Sequence, residues 1–518
     1  MLRRLLAVCL GAAALAYGSL VTVNTTSGQL IGSNTDGVIS FKGVRFAQAP
    51  VGNLRWVPPQ PFVSLEVQNA TSFAPSCIQQ FSSALEEAFF NQGGPSSSSE
   101  DCLFLNIWTP TNDSGTPKPV LVWIYGGAFT FGTTALPTYD GTSFAKNQDV
   151  VVVSVAYRTN VFGFSMARDL APQRTNLGLL DQELALQWVQ QNIAALGGDP
   201  AQVTLMGQSA GGQSVGAAFL RHTDAHAPFR AGILLSGAPT FRSAATNHTP
   251  FDAFARAANC SQPAGPARLA CLRAVPAAAV SAVLATDAAT FAFEAVVDNA
   301  TWFVQPLARI AARATALKPI VVGNAAGDGT VWALGYSSLR AAITDYLGAS
   351  AAQVSDAQVR ALYPGQNDSV VTASFITDYD YKCGAGLWAK AFVGAGERDV
   401  FRYSYGAVFV DLSPLPGLGA WHGSELPMIF GTYNASSATA AEKTLSATLQ
   451  GALGAFVRDP TAAPAAHWAR YAGNATRGLA ELGYHGNVGP GDFVEAVPGE
   501  SLDGPCAALY DRFLAAGA

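Results

Sequence analysis

Runs of apolar, often β-branched residues recur along the chain and alternate with segments of helical periodicity. The runs are apolar at successive positions, which is typical of strands that are buried on both faces of a sheet. Six of them predict strands at residues 120–125, 150–157, 203–207, 232–236, 319–323 and 400–405. Because helical segments separate these strands, the pattern predicts an α/β fold with a large, mostly parallel central sheet flanked by helices.

One stretch predicts a helix, a strand and a reactive residue in succession. Apolar residues three and four positions apart give residues 176–196 a broad apolar face, and Gly197-Gly198-Asp199-Pro200 ends this helix. The strand at 203–207 follows and runs into Gly207-Gln208-Ser209-Ala210-Gly211. A strand that enters Gly-x-Ser-x-Gly and then small residues is typical of a nucleophile elbow, a sharp turn that exposes the serine hydroxyl.

Ser209 is therefore the candidate nucleophile. The motif occurs a second time around Ser214, as Gly212-Gln213-Ser214-Val215-Gly216, but no strand precedes that copy. We expect Ser214 to lie inside the helix that follows the elbow, with a structural role.

A serine nucleophile needs a histidine to accept its proton and a carboxylate to orient that histidine. His422 stands in a glycine-flanked loop after the last predicted strand and is the candidate base, although a lone histidine is often structural. The strand at 319–323 leads into Asp328, which is the candidate acid. The alternative for Asp328 is a turn residue, because Asp-Gly is a favoured turn dipeptide. The order Ser209, Asp328, His422 is that of α/β-hydrolases.

Acyl transfer also needs backbone N–H groups that bind the developing oxyanion. The strand at 120–125 ends in the small residues Gly126-Gly127-Ala128. We predict Gly127, Ala128 and Ala210 as the oxyanion donors, with an ordinary Gly-Gly turn as the alternative for the first two.

The composition is that of a globular protein. The chain has 518 residues, 49% of them hydrophobic and 13% charged, which excludes a disordered chain. A net charge of −6 without acidic or basic blocks excludes the class of nucleic-acid-binding proteins. We see no linker, so residues 17–518 are predicted to form one domain. The sequence leaves the oligomeric state open.

The N-terminus predicts export. Arg3 and Arg4, the apolar residues 5–15 and the small-x-small site at Ala14-Leu15-Ala16 are typical of a signal peptide over residues 1–16. No later run of 18 apolar residues follows, so we expect a secreted, extracellular protein without an integral membrane segment. Nine sequons fit a glycosylated surface: Asn24, Asn69, Asn112, Asn247, Asn259, Asn299, Asn367, Asn434 and Asn474.

Export places the six remaining cysteines in an oxidising compartment. Six cysteines allow 15 pairings, of which proximity favours Cys77 with Cys102 and Cys260 with Cys271, leaving Cys383 for Cys506. No Cys-x-x-Cys or paired-histidine spacing is present, so we expect no zinc site.

Several segments together resemble the type-B carboxylesterase/lipase family, the α/β-hydrolases that include cholinesterases and secreted fungal lipases. The resemblance covers nearly all of the mature chain and is carried by residues 41–56, Ser99-Glu100-Asp101-Cys102-Leu103-Phe104-Leu105-Asn106, Tyr157-Arg158, Leu179-Leu180-Asp181-Gln182, the elbow, and His422 with Glu425-Leu426. It implies an ester hydrolase that forms an acyl-enzyme with neither a metal nor a cofactor. The family usually has glutamate where Asp328 stands and a third glycine where Ala128 stands.

The resemblance also implies structural features. It implies buried ion pairs between Arg55 and Glu100 and between Arg158 and Asp181, together with the three disulfides named above. It further implies that the loop from Cys77 to Cys102 is a lid. In that loop we expect Phe81, Leu85 and Phe89 to lie on one helical face, able to rest over an apolar cleft and to contact lipid; an ordinary surface helix is the alternative. Phe291 and Phe293 resemble the acyl-pocket segment of the family.

The hypothesis is a secreted serine esterase for apolar carboxylic esters, either small-molecule or lipid. Sterol esterase and feruloyl-type esterase are variants of it. Choline esters are disfavoured, because Gln208 replaces the glutamate of cholinesterases and the lid loop has no tryptophan. The alternative from another class is a non-catalytic adhesion or binding protein on the same scaffold.

Overall fold

The computed structural model describes residues 19–95, 97–112, 115–239, 247–287, 290–473, 478–484, 493–498 and 500–513. The predicted signal peptide at 1–16 lies outside these residues, as do His485 and the sequon asparagine Asn474. The other eight sequon asparagines are all exposed.

The strands of the described residues are β1 (Ser19–Thr25), β2 (Gly28–Thr35), β3 (Val38–Arg45), β4 (Val67–Asn69), β5 (Ser76–Cys77), β6 (Ser98–Ser99), β7 (Phe104–Pro110), β8 (Lys118–Ile124), β9 (Val151–Val155), β10 (Gly198–Gln208), β11 (Ala231–Leu235), β12 (Ile320–Ala325), β13 (Val400–Tyr405), β14 (Leu479–Leu482) and β15 (Val494–Val497).

The α-helices are α1 (Ala84–Phe90), α2 (Thr142–Gln148), α3 (Asn160–Gly163), α4 (Leu177–Asn192), α5 (Ala210–Arg221), α6 (Thr249–Ala257), α7 (Pro266–Ala274), α8 (Ala277–Leu284), α9 (Pro306–Ala311), α10 (Gly329–Ala333), α11 (Leu339–Leu347), α12 (Asp356–Arg360), α13 (Asp368–Ile376), α14 (Cys383–Gly394), α15 (Leu426–Phe430), α16 (Ala440–Arg458) and α17 (Glu500–Phe513).

Thirteen of the described strands form one sheet. Its order is β1-β2-β3-β7-β9-β8-β10-β11-β12-β13-β14-β15, with β4 beside β2. The strands from β9 to β14 are parallel, whereas antiparallel pairs lie at both edges. All six predicted strands belong to the parallel centre, and the predicted α/β class is confirmed.

Burial explains why the apolar runs form the centre of this sheet. Every residue of β9, β11, β12 and β13 is buried. Helices α4, α5, α14 and α16 pack against the central strands. Buried residues of one large apolar cluster extend across these strands and helices, so most of the hydrophobic stabilisation of the fold lies here.

The predicted helix at 176–196 is α4 followed by a 3-10 turn, Ile193–Leu196, which ends at Gly197 with φ 85°. The next strand begins earlier than predicted, at Gly198 rather than 203. The reason is that Gly198 pairs with Lys118 of β8, and an irregularity separates that pair from the regular register at Val203.

The three disulfides have the predicted pairings, Cys77–Cys102, Cys260–Cys271 and Cys383–Cys506. Both implied ion pairs are present and buried. Arg55 bonds both carboxylate oxygens of Glu100 at 2.6 Å, and Arg158 bonds those of Asp181 at 2.7 and 2.8 Å. Arg55 also donates to the carbonyls of Leu272 and Val275, which ties the N-terminal region to the end of α7.

No single helix of the described residues is both long and apolar enough to cross a bilayer. Helices α7 and α8 reach that length and apolar composition only when taken together, and the pair is bent by 101°. Within the same residues, no three histidine, cysteine, aspartate or glutamate side chains group as they would around a metal ion.

Candidate active site

Ser209 lies in the turn between β10 and α5. Its backbone has φ 57° and ψ −126°, a conformation that costs a non-glycine residue about 1–3 kcal/mol. The turn is held in place by the Ser209 amide, which donates to the carbonyl of Leu235 at 2.9 Å. Ser209 is partly exposed, whereas Gln208 and Ala210 on either side are buried. The local fold therefore presents the serine at the surface, as the elbow motif predicts.

Two glycines permit this turn. A methyl group on Gly207 would lie 2.2 Å from the carbonyl oxygen of Gly211, and one on Gly211 would lie 2.0 Å from that of Ile124. Any side chain at either position would therefore push α5 away from the ends of β10 and β8.

The second copy of the motif has no such exposure. Ser214 is buried inside α5, where its hydroxyl donates to the carbonyl of Ala210 at 2.9 Å and accepts from Gln182 Nε2 at 3.0 Å.

Asp328 and His422 meet directly, although 94 residues separate them in the chain. His422 Nδ1 lies 2.7 Å from Asp328 Oδ1, and both side chains are buried. Asp328 Oδ2 accepts a hydrogen bond from the Ala325 amide at 2.9 Å. Complete burial raises the pKa of Asp328 above its ordinary value, and the hydrogen bonds from His422 and Ala325 oppose that rise.

Hydrogen bonds to backbone carbonyls bring together the loop that carries Asp328 and the loop that carries His422. The Gly327 amide donates to the carbonyl of Ala420 at 2.9 Å, and Thr330 Oγ1 donates to that of Leu418 at 2.7 Å. Since β12 and β13 are adjacent and parallel, both loops leave the same edge of the sheet. Other described histidines have partners elsewhere: Glu183 for His222, Thr223 for His226 and Met166 for His248.

The other ring nitrogen of the histidine also has a partner. His422 Nε2 lies 3.0 Å from Gln208 Nε2. A side-chain amide nitrogen can only donate, so His422 Nε2 accepts this hydrogen bond and Nδ1 carries the ring proton toward Asp328.

The predicted oxyanion donors lie on two elements beside the elbow. Gly127 and Ala128 have φ 108° and 52°, so Ala128 adopts a left-handed conformation without being glycine. Ala210 is the first residue of α5, where the helix N-terminus has free N–H groups and a partial positive charge. A methyl group on Gly126 would lie 2.8 Å from Ser209 Cβ, so this loop packs directly on the elbow.

Aromatic side chains surround the histidine. The rings of Tyr381 and Trp332 lie 4.6 and 5.5 Å from that of His422. Phe90 of α1 stacks on Trp332 at 5.3 Å and on Phe131 at 5.8 Å. The segment from Cys77 to Cys102 thus packs its helix on the loops that carry Asp328 and His422.

The structure corrects the predicted apolar face of this segment. Helix α1 begins at Ala84, after Ser83 caps it, so Phe81 lies outside the helix and the spacing does not continue through it. Leu85 is 49% exposed, whereas Phe89 is buried beside Val331 and Leu418. The ring of Phe81 lies 4.8 Å from that of Phe131 and is tilted by 31° relative to it.

Phe291 and Phe293 lie in a different buried cluster, with Phe251 and Phe254. This cluster also includes Ile78, which follows Cys77, and the carbonyl of Phe291 accepts a hydrogen bond from Gln80 Nε2 at 2.9 Å.

Some residues of the site were not singled out from the sequence. Trp332 follows Asp328 by four positions, and Trp421 directly precedes His422. Their closeness in sequence to these two candidate residues was the signal that could have identified them. Glu425, three residues after His422, is completely buried, and neither of its carboxylate oxygens has a hydrogen-bond partner among the described residues. Burial raises the pKa of Glu425 to about 8, and the charge of Asp328 adds to the rise.

A parallel sheet whose central strand enters a strained serine elbow, with a histidine and an aspartate from neighbouring strand ends beside it, defines the α/β-hydrolase class. Within that class, the chain belongs to the carboxylesterase family, whose model matches residues 19–490. It is a carboxylic ester hydrolase.

Relatives from fungi and solved structures agree with this assignment. The chain is 32% identical to a chlorogenic acid esterase of Aspergillus niger over 467 residues, which covers 86% of this chain and 84% of that protein. It is 29% identical to secreted lipase 5 of Gibberella zeae over 483 residues, covering 85% and 86%. Among solved structures, PNB esterase is similar with a TM-score of 0.73 at 29% identity, covering 89% of this chain and 95% of that one.

Proposed function

We propose that Ser209, His422 and Asp328 form the catalytic triad of this ester hydrolase. The observation that carries the proposal is the 2.7 Å hydrogen bond between His422 and Asp328 beside the strained elbow of Ser209. That bond fixes the proton on Nδ1 and leaves Nε2 as the base.

Acylation begins when Ser209 Oγ attacks the acyl carbon of the ester and its proton passes to His422 Nε2. Asp328 stabilises the imidazolium that forms. The tetrahedral intermediate then collapses, the bond to the leaving oxygen breaks, and the proton on Nε2 passes to that oxygen. The alcohol departs and the acyl group stays on Ser209.

Deacylation repeats these steps with water. His422 Nε2 takes a proton from water, the resulting hydroxide adds to the acyl carbon, and the proton returns to Ser209 Oγ as its bond to the acyl group breaks. In both steps the N–H groups of Gly127, Ala128 and Ala210 bind the oxyanion, and removing one such donor typically costs about 3 kcal/mol of barrier.

The substrate class is an apolar carboxylic ester. The rings of Phe90, Phe131 and Trp332 near His422 favour an apolar acyl group, and aromatic rings stack well on one another. Two chemistries fit: a hydroxycinnamoyl ester, in line with the chlorogenic acid esterase relative, and a lipid ester, in line with the secreted lipase. The segment from Cys77 to Cys102 would act as a lid that contacts lipid.

Three disulfides, eight exposed sequon asparagines and the name of the secreted lipase relative support an exported protein.

The test uses a fluorophosphonate, which reacts with an activated serine, and a pair of variants. We expect the wild type and Ser214→Ala to be labelled and to hydrolyse p-nitrophenyl butyrate, because Ser214 is buried in α5. Ser209→Ala should lose labelling and at least about 10⁴-fold in kcat. Labelling that survives in Ser209→Ala would reject the proposal and favour a different reactive residue. A folded wild type that is neither labelled nor active would indicate a binding protein.

A further inference from the structure

Gln208 stands directly before the nucleophile, and its side chain reaches the catalytic base rather than solvent. It is 5% exposed, and its Nε2 lies 3.0 Å from His422 Nε2. A methyl group on Gly126 would lie 2.9 Å from Gln208 Oε1, and one on Gly423 would lie 3.7 Å from Nε2. The amide is therefore held between the loop that contains Gly126 and the loop that contains His422 and Gly423.

This contact affects the one atom that must accept the serine proton. A neutral imidazole has a single lone pair at Nε2, which accepts one strong hydrogen bond. In this structure the Gln208 amide uses that lone pair. A donor at Nε2 stabilises the neutral ring and opposes its protonation, because an imidazolium presents an N–H there and has nothing to accept with.

We propose that Gln208 is a positioning residue for the reaction: in the free enzyme it holds His422 in the tautomer with the proton on Nδ1, and it releases Nε2 to Ser209 when substrate binds. The inference rests on the proposed function. Its consequence is that replacing the amide by a carboxylate, or by a side chain that cannot donate, should change the pH profile of the reaction.

Other titratable and aromatic groups also surround the His422 ring. Asp328 accepts from Nδ1, and Tyr381 and Trp332 lie against the ring. Glu425 lies three residues further along the same loop, and Tyr403 of β13 is buried near Asp328 and Glu425. None of these is altered by a substitution at Gln208, so a change in pH profile can be assigned to the amide.

The experiment compares Gln208→Glu with Gln208→Met. A carboxylate within hydrogen-bond distance of Nε2 favours imidazolium. In Gln208→Glu the acid limb of the kcat/KM profile should therefore shift to higher pH, by about one pH unit or more. Met has a similar volume and cannot donate, so the limb should move upward by a smaller amount. The substrate is p-nitrophenyl butyrate, read at the isosbestic wavelength of p-nitrophenol.

Gln182 supplies the matched control. It is another buried glutamine, and its amide donates to Ser214 rather than to the histidine. Gln182→Glu and Gln182→Met should keep the wild-type acid limb. If a variant turns over too slowly, the pH dependence of its fluorophosphonate labelling rate reports the same limb.

An unchanged acid limb in both Gln208 variants, whatever their kcat, would overturn the proposal and leave Gln208 with a packing role. That result is distinct from failure of the proposed function, in which the wild type itself shows neither hydrolysis nor labelling.

Discussion

At the scale of single residues, the aspartate that stands in place of the usual glutamate, Asp328, bears most on the chemistry. Asp328 has a shorter side chain than the glutamate usual in similar enzymes, yet its Oδ1 lies 2.7 Å from His422 Nδ1. The position of Asp328 explains this, because it precedes α10 and lies three residues after the end of β12, in a loop that is hydrogen-bonded to the carbonyls of Ala420 and Leu418. The placement of the backbone thus compensates for the shorter side chain.

Replacing this carboxylate should disable the base. In Asp328→Asn, the amide can donate to Nδ1 and favours the tautomer with the proton on Nε2, so we expect kcat to fall by about 10³–10⁴-fold while the fold is retained. Steady-state kinetics and circular dichroism check this. Near-normal turnover would mean that another carboxylate orients His422, and Glu425 would be the first to examine.

At the scale of elements, helix α1 connects the segment between Cys77 and Cys102 to the site. Phe89 and Phe90 face the loops that carry Asp328 and His422, whereas Leu85, four positions before Phe89, is exposed. The hydroxyl of Ser83 accepts from the Glu86 amide at 3.1 Å and fixes where the helix begins.

The variant Phe90→Ala tests the contact of α1 with the site. Loss of the Phe90 ring should lower kcat/KM for a hydroxycinnamoyl ester by about tenfold, since an aromatic pair between this ring and the acyl group would contribute about 0.5–1.5 kcal/mol. An acetate ester, which has no aromatic acyl group to pair with Phe90, should lose much less. Leu85→Ala serves as the control and should match the wild type. Equal losses for both esters, or the same effect from Leu85→Ala, would contradict this role.

Sequence patterns predicted the elements better than the contacts among loops. The six central strands are visible because burial on both faces requires unbroken apolar runs, and the elbow is visible because only glycine fits at Gly207 and Gly211. The inward face of α1 was not predictable from spacing, because only the last turn of this seven-residue helix packs on the loops that carry Asp328 and His422, and Leu85 in its first turn is exposed. The bond between Gln208 and His422 joins residues 214 positions apart, and no local pattern encodes it.

At the scale of the whole molecule, a buried carboxyl group makes stability depend on pH. Glu425 is completely buried with a pKa of about 8, against an ordinary value of 4.5. Between these values the unfolded chain has lost this proton while the folded protein keeps it. The folded state therefore binds more protons, and the free energy of unfolding falls as the pH rises through this range, by about 1.4 kcal/mol for each pH unit.

Glu425→Gln removes this dependence, because the amide has a similar shape and does not ionise. We expect the variant to gain stability relative to the wild type between pH 5 and pH 8, by several kcal/mol at most. Urea unfolding at both pH values measures the difference. A constant difference between variant and wild type across this range would show that Glu425 is ionised in the folded protein or is solvated by water.

The most direct test of the central claim is to trap the covalent intermediate. Rapid mixing of the wild type with a p-nitrophenyl ester, followed by acid quench and peptide mapping by mass spectrometry, locates the acyl group. The mechanism predicts one acyl group per chain on the peptide that contains Ser209, attached to Ser209 itself. An acyl group on Ser214 or on any other residue, or turnover with no acylated protein at any time point, would contradict it.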